Sequence, residues 1–306
     1  MIRFLARRLL LTLPVLAGVA TLVFSLIHLV PGDPVEAMLG ESASREDAAN
    51  LRHQLGLDRP LYVQYAVFIR GAVTGDLGHS LRTGQSVAAT IAERMPATIE
   101  LAFAAMLFAV LVAVPFGIVA AVRGGTTLDH LATGLALVGV SVPGFWLGPI
   151  LALVFAVELG WLPVSGRGTL AHLVLPAMTL GAPLAAVLSR MTRASLLGEL
   201  REMYVLAARG RGVSRARAVL RHAFRNSLVP LVTIVGLQFG AVLTGAVITE
   251  TIFAWPGVGR LLIQSITFRD YPLVQGCILL IAVAYVSVNL ATDLVYGFLD
   301  PRIRFE

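Results

Sequence analysis

Six apolar stretches of near-bilayer length run through this 306-residue sequence and leave few folds open to it. They cover Leu9–Val30, Ala97–Val122, Leu131–Val157, Leu173–Met191, Val229–Ile248 and Gly276–Phe298. A helix needs about 20 mostly apolar residues to cross the hydrocarbon core, and an isolated helix satisfies its own backbone there. The expected fold is an all-α polytopic membrane protein with six transmembrane helices. Composition agrees: 57% of residues are hydrophobic, 14% are charged and the mean hydropathy is +0.82, whereas a soluble domain carries about 25% charged residues. Arg3, Arg7 and Arg8 precede the first stretch as they would in a signal peptide. Its apolar run is too long for that, and no small-residue cleavage site precedes Pro31, so it is expected to be a retained span.

Arginine placement gives the expected orientation. All 24 Lys+Arg residues are arginine. Arg3, Arg7 and Arg8, then Arg123, then the run from Arg190 to Arg225, then Arg302 and Arg304 fall on one side of the membrane if the spans alternate. The positive-inside rule makes that side the cytoplasm, with both termini there. The sequence pI of about 10.2 therefore reflects membrane edges and not a nucleic-acid face. Without lysine the chain cannot supply a Walker A phosphate loop. The single cysteine, Cys277, excludes an internal disulfide and a cysteine metal cluster.

Residues 31–96 then lie outside as a small periplasmic helical cap, long and patterned enough to be more than a linker. Pro31-Gly32-Asp33-Pro34 predicts a turn, Glu46–Leu55 a helix, and Leu57-Asp58-Arg59-Pro60 its break. Leu61–Val73 carries apolar residues at helical spacing, Gly75-Asp76-Leu77-Gly78 predicts another turn, and Val87–Arg94 a third short helix. Pro14, Pro115 with Gly117, Pro143-Gly144, Pro149, Pro176 and Gly181 interrupt the spans. These suit either bent helices around a path that opens and closes or ordinary membrane-helix kinks.

Residues 192–227 form the arginine-rich cytoplasmic segment. From Ser214 to Arg225 the pattern is amphipathic: Ala216, Val219, Leu220, Ala223 and Phe224 share one face, while Arg215, Arg217, Arg221 and Arg225 share the other. Such a helix suits the inner membrane surface or an acidic partner. Before it, Leu206-Ala207-Ala208-Arg209-Gly210-Arg211-Gly212 is unusually small-sided, so another protein can approach its backbone closely. Charge alone would make this a plain positive-inside loop; the Ala-Ala-x-x-x-Gly spacing and the apolar restart at Leu228-Val229-Pro230 argue for more.

These features resemble the first permease subunit of dipeptide, oligopeptide, glutathione and nickel ABC importers, over nearly the whole chain. The likeness rests on Pro31-Gly32-Asp33-Pro34, Leu55-Gly56-Leu57-Asp58-Arg59-Pro60-Leu61-Tyr62, Gly75-Asp76-Leu77-Gly78 and Glu158-Leu159-Gly160-Trp161-Leu162-Pro163. It rests above all on the run from Glu250 through Phe253-Ala254-Trp255-Pro256-Gly257 to Arg260, followed by Arg269-Asp270-Tyr271-Pro272. Each short motif is weak; their order and spacing are specific. The general permease motif opens with Glu-Ala-Ala, and Leu206 stands at its glutamate position here. The resemblance implies a type I importer in which this chain forms half of a pore for peptides. Its partners would be a second homologous permease subunit, two ATP-binding subunits, a periplasmic or lipid-anchored substrate-binding protein and membrane lipids, with no nucleic acid. ATP and magnesium would sit on the ATPase subunits, with no cofactor or metal on this chain. The implied location is the bacterial inner membrane.

Site residues follow. Tyr204, Ala207, Ala208, Arg209, Arg211 and Gly212 are expected to contact an ATPase subunit. Gln238, Glu250, Asn289 and Asp293 are candidates for pore or gate, because ionisable and polar groups within spans are costly; Asp293, near the cytoplasmic end, better suits a solvated or arginine-paired structural role, Gln238 equally suits a helix–helix hydrogen bond, and Glu250, like Glu100, a wet position at the boundary. Asp76, Trp161, Trp255, Arg260, Arg269 and Asp270 are expected to face the binding protein. Rival functions fit less well. A membrane enzyme lacks an H-E-x-x-H motif or a histidine central to a span. An ion-coupled secondary transporter would need more ionisable groups at mid-membrane. A nickel-chelate permease stays open as an alternative substrate class.

Overall fold

The computed structural model describes residues 2–29, 35, 46, 49–50, 52–53 and 56–299. The expected turn at Pro31–Pro34 and half of the Glu46–Leu55 helix lie outside them. Ten helices build the described part: α1 (Ile2–Leu29), α2 (Leu61–Thr74), α3 (Val87–Val122), α4 (Thr127–Ser141), α5 (Gly144–Leu151), α6 (Leu170–Glu199), α7 (Met203–Gly210), α8 (Phe224–Ile252), α9 (Val258–Thr267) and α10 (Tyr271–Leu299). A π-helical stretch, Ala152–Glu158, prolongs α5, and a turn at Arg215–Arg217 with a second π stretch, Ala218–Ala223, leads into α8.

Four segments are long and apolar enough to cross a membrane: Val87–Val122, Leu170–Glu199, Arg215–Val242 and Tyr271–Leu294. The third expected span is not one straight helix. It breaks after Ser141, and the two pieces, Thr127–Ser141 and Gly144–Glu158, meet at 104°. Pro143 explains the break: it forces Val142 into an extended conformation (φ −80°, ψ 117°) and itself caps α5. In α1 the apolar run is the shorter Leu10–Ser25. Val87–Arg94, expected as a separate short helix, is the beginning of α3, which continues through Pro96 without a break. The basic amphipathic helix is likewise no separate element, since it runs directly into α8. Within it Ala218, Val219 and Ala223 are buried, while Ala216 and Leu220 are exposed. One extra residue per turn in the π stretch rotates the buried face away from the one that a regular helix would present.

The chain forms two compact units. One comprises Ile99–Trp255 and Ser287–Glu306. Here α6 packs on α4 and α8, around Ala109, Ala113, Ala185, Leu188 and Leu231. Small residues bring backbones together. A Cβ on Gly181 would fall 2.6 Å from the Ala105 carbonyl oxygen, and one on Gly117 would fall 2.8 Å from the Ser189 carbonyl oxygen. Gly236 lies against the Thr292 side chain, with no room for a Cβ of its own. Without a hydrophobic drive between helices in lipid, such close contacts supply the dispersion that holds them.

The other unit comprises Ile2–Thr98 and Pro256–Val286. Its core joins Val87, Ile91, Val258, Leu261, Leu273 and Cys277. α1 meets α2 through Phe24 against Tyr65 and Phe68, and Thr21 shares a 2.8 Å hydrogen bond with the Tyr65 hydroxyl. Gly75, left-handed at φ 80°, ends α2 as the turn motif predicts.

Candidate coupling helix and partner-facing sites

α7 is an eight-residue helix with two faces. Val205 and Ala208 are buried; Val205 packs with Ala121, Leu196 and Ala218. Met203, Tyr204, Leu206, Ala207 and Arg209 are exposed, as is Arg211 just beyond. The helix closes in a Schellman motif: Val213 N–H donates to the Ala208 carbonyl at 3.2 Å and Gly212 N–H to that of Arg209 at 3.0 Å. This requires a left-handed residue, and Gly212 has φ 85°. The surface expected for an ATPase subunit is therefore divided. Ala208 is turned into its own chain, whereas Ala207 and the arginines point outward. Gly212 has open space around it and is glycine for its backbone angle. Tyr204 donates its hydroxyl to Glu199. Burial, then the Glu199 carboxylate, pushes its phenol up to about 12.

Among the pore candidates, Gln238 on α8 and Asn289 and Asp293 on α10 are half-buried. Glu250 is fully enclosed, which corrects the expectation of a wet boundary group. Glu100 is half-buried and receives two hydrogen bonds from Arg167, at 2.5 and 2.8 Å.

The residues expected to face a binding protein also separate. Asp76 and Trp161 are exposed; Asp76 Oδ1 accepts from Gly78 N–H, and Trp161 lies against Phe155. Arg260 is half-buried and Arg269 exposed. Trp255 and Asp270 present no side chain outward, contrary to expectation: they are 1% and 3% exposed. Trp255 lies under the Arg167 guanidinium, 5.9 Å from its ring centre. Asp270 accepts from the Ser80 hydroxyl at 2.5 Å and from Leu81 N–H at 3.1 Å, fixing the 78–86 turn. Both follow helices that end as α7 does, but with Ala254 (φ 49°) and Arg269 (φ 53°) at the left-handed position. Trp255 N–H then donates to the Glu250 carbonyl and Asp270 N–H to that of Ser265.

One ion pair escaped the sequence reading. Arg193 on α6 grips Asp129 on α4 with both prongs, at 2.5 and 2.7 Å, and Gly125 N–H adds a third bond to that carboxylate. Asp129 is buried, and two parallel N–H···O bonds fix α4 against α6. The signal was an acid in the first turn of an apolar segment, which a search restricted to span centres passes over. Among the described residues no cluster of three or more His, Cys, Asp or Glu could hold a metal ion.

Comparison with known proteins places this architecture. Residues 113–305 match the family model of the binding-protein-dependent transport system inner membrane component, and residues 1–102 match the N-terminal model of the same systems. The di/tripeptide transport system permease protein DppB of Pseudomonas aeruginosa is 45% identical, with both chains fully covered. The dipeptide permease DppB of Escherichia coli K12 is 43% identical, again over 100% of each chain. The glutathione transport system permease protein GsiC of Escherichia coli O6:H1 is 44% identical over 306 residues, also with full coverage of both. Solved structures share the fold. A chain of the inward-facing MetNI methionine ABC transporter superposes with a TM-score of 0.56 at 18% identity, covering 69% of this chain and 96% of that one. A chain of an amino acid ABC transporter gives 0.54 at 17% identity, covering 68% and 94%. This chain belongs to the family of binding-protein-dependent transport system inner membrane components, the permeases of ABC importers.

Proposed function

We propose that this permease forms half of the pore of an ATP-driven peptide importer. The full-length identity to di- and tripeptide permeases carries this reading. Its partners are a second homologous permease, two ATPase subunits and an external substrate-binding protein, which brings the peptide to the pore. The ATPases hold ATP and magnesium; this chain, with no lysine for a phosphate loop, holds neither. Six spans with cytoplasmic termini put residues 31–96 outside and α7 inside, where the arginine bias favours it. There the exposed face of α7, with Met203, Leu206 and Ala207 between Arg209 and Arg211, transmits ATPase movement to the spans.

Glutathione is a second reading, favoured by length. The alignment to the glutathione permeases spans 306 residues, the length of this chain, whereas those to the E. coli dipeptide permeases span 338. Reconstitution with the ATPases and the binding protein tests the function and separates the substrates. Ligand-loaded binding protein is expected to stimulate ATP hydrolysis and drive uptake of a labelled dipeptide. If only glutathione is taken up, the second reading holds. Robust hydrolysis by the isolated chain, or uptake without ATP, refutes both.

A further inference from the structure

The basic stretch that leads into α8 has no task in the proposed function. It lies within the unit that contains Ile99–Trp255. One side of it is small and buried. Ala218, Val219 and Ala223 pack with Val205 of α7, Leu196 of α6 and Ala121 of α3, and the buried Ser227 continues that side into α8. The other side is open. Arg217, Arg221 and Arg225 recur at every fourth residue, and all three are exposed. Among the described residues none of the three is paired with an acid, and the sequence has no acid between Glu202 and Glu250. Arg215 is not part of this row, because it turns back and donates to the Val122 carbonyl at the end of α3, at 3.1 Å. Leu220 and Leu228, within and just after the row, are exposed as well.

These residues open a membrane span, since Arg215–Val242 is long and apolar enough to cross. A charge within the hydrocarbon core is costly, so the arginines stand where the span leaves it, at the level of the lipid headgroups. Arginine suits that level in two ways. Its stem covers apolar surface while the guanidinium reaches towards water, and its planar fork holds a phosphate through two N–H bonds. A row of guanidiniums with no carboxylate among them is complementary to a layer of phosphates. The exposed leucines suit the apolar depth of such a layer. An acidic protein face would satisfy the arginines but not the leucines, and α7 packs on the buried side of the stretch, away from the row. We infer that Arg217, Arg221 and Arg225 form a docking surface for anionic phospholipid headgroups of the inner leaflet, separate from the surface that α7 offers to an ATPase. The assignment to the inner leaflet rests on the importer reading above, which puts α7 inside; the preference for anionic lipid does not.

The test asks which lipid the full chain keeps. The permease is incorporated into vesicles of equal parts phosphatidylglycerol and phosphatidylcholine and extracted in a mild neutral detergent, and the two lipids that stay with it are quantified. An arginine close to an anionic surface contributes about fivefold to binding. The wild-type chain should therefore be enriched in phosphatidylglycerol, and the triple variant Arg217→Gln, Arg221→Gln, Arg225→Gln should lose at least about tenfold of that enrichment. Replacing the same three by lysine keeps the charge and should retain most of it. Added salt should lower the wild-type enrichment and leave the glutamine variant unchanged. Wild-type enrichment in the glutamine variant at normal abundance overturns the inference. So does an equal loss per charge in Arg209→Gln, Arg211→Gln on α7, which would mean that positive charge anywhere on this side is enough. If the triple variant fails to accumulate, Arg221→Gln alone carries the comparison, with an expected loss of about fivefold. Capture of the ATPase subunits in lipid-free detergent tests the other occupant. The glutamine variant should bind them as wild type does; lost capture with lipid enrichment intact assigns the row to the ATPase and overturns the inference. Failure of the importer reading appears elsewhere, as no uptake by the reconstituted complex, and leaves the lipid measurement standing.

Discussion

The arginine-rich segment around α7 and the motif that runs from Glu250 to Pro272 carry comparable sequence signatures and use them in opposite ways. Around α7 the distinctive residues point outward: Tyr204, Ala207, Arg209 and Arg211 are exposed, and two small apolar side chains anchor the helix from beneath. In the second segment the distinctive residues point inward. Glu250, Phe253, Trp255 and Asp270 are all buried, and Arg269 is left at the surface. The same helix-ending motif closes all three helices, with glycine at the left-handed position after α7 and with Ala254 and Arg269 after α8 and α9. A motif of small and charged residues is thus a surface; a motif of two bulky aromatics and two enclosed acids is a scaffold. A signature alone does not say which.

The contrast can be broken most decisively at the tryptophans. Truncating a buried tryptophan costs about 3–5 kcal/mol, so Trp255→Ala should sharply lower the melting temperature of the purified chain and its abundance in membranes. Trp161→Ala removes an exposed ring and should cost less than about 0.5 kcal/mol. Equal losses in the two would mean that burial does not separate scaffold from surface.

Next come the helix ends. Gly212→Ala places a Cβ at φ 85° and should destabilise α7 by about 1–2 kcal/mol before any partner is present. A bulky residue at Gly212 would therefore report on its own backbone, and Ala207 is the cleaner place to obstruct docking. Arg269→Gly should do the reverse and raise stability by up to about 1 kcal/mol, because it relieves a left-handed arginine. If uptake nonetheless falls in Arg269→Gly, the arginine side chain itself is used by a partner.

The smallest effect concerns pH. Tyr204 has a folded-state value near 12, raised from an ordinary 10. The folded chain therefore holds this proton more tightly, and the associated stability is intact below pH 10 and lost as pH rises towards 12. Melting curves across that window should fall less steeply for Tyr204→Phe than for wild type, and the pH dependence of the two should match below it. Identical slopes would show that Tyr204 is solvated like a surface phenol.

Much of this was legible from apolarity. Five of the six stretches became single long helices, four of them apolar over a full membrane span, because nothing in them competes with a helix in lipid. Proline was a poorer guide. Pro14, Pro115 and Pro176 lie within continuous helices, and only Pro143 stands at the sharp break. All four lack the backbone donor, so the outcome depends on whether neighbouring groups satisfy the freed carbonyl, which no local pattern records. Burial of Trp255 and Asp270 was hidden for a similar reason. Asp270 is satisfied by Ser80 and Leu81, 190 and 189 positions away in sequence. The π stretch before α8 defeated the amphipathic reading, since a periodicity argument assumes the regular helix that the chain abandons there.

The glycine contacts between α3 and α6 bear on how such a molecule can move. At Gly181 and again at Gly117 a glycine of one helix faces a main-chain carbonyl of the other, with the Phe108 and Thr192 side chains packed alongside. Sliding one past the other would drive a carbonyl into a Cα, and the β-branched Thr192, fully buried beside Gly117, has little room to yield. The pair behaves as a riveted beam, and Arg193 bolts α4 to the same beam through Asp129. Motion is then directed to joints outside this contact, such as the 104° elbow after Ser141.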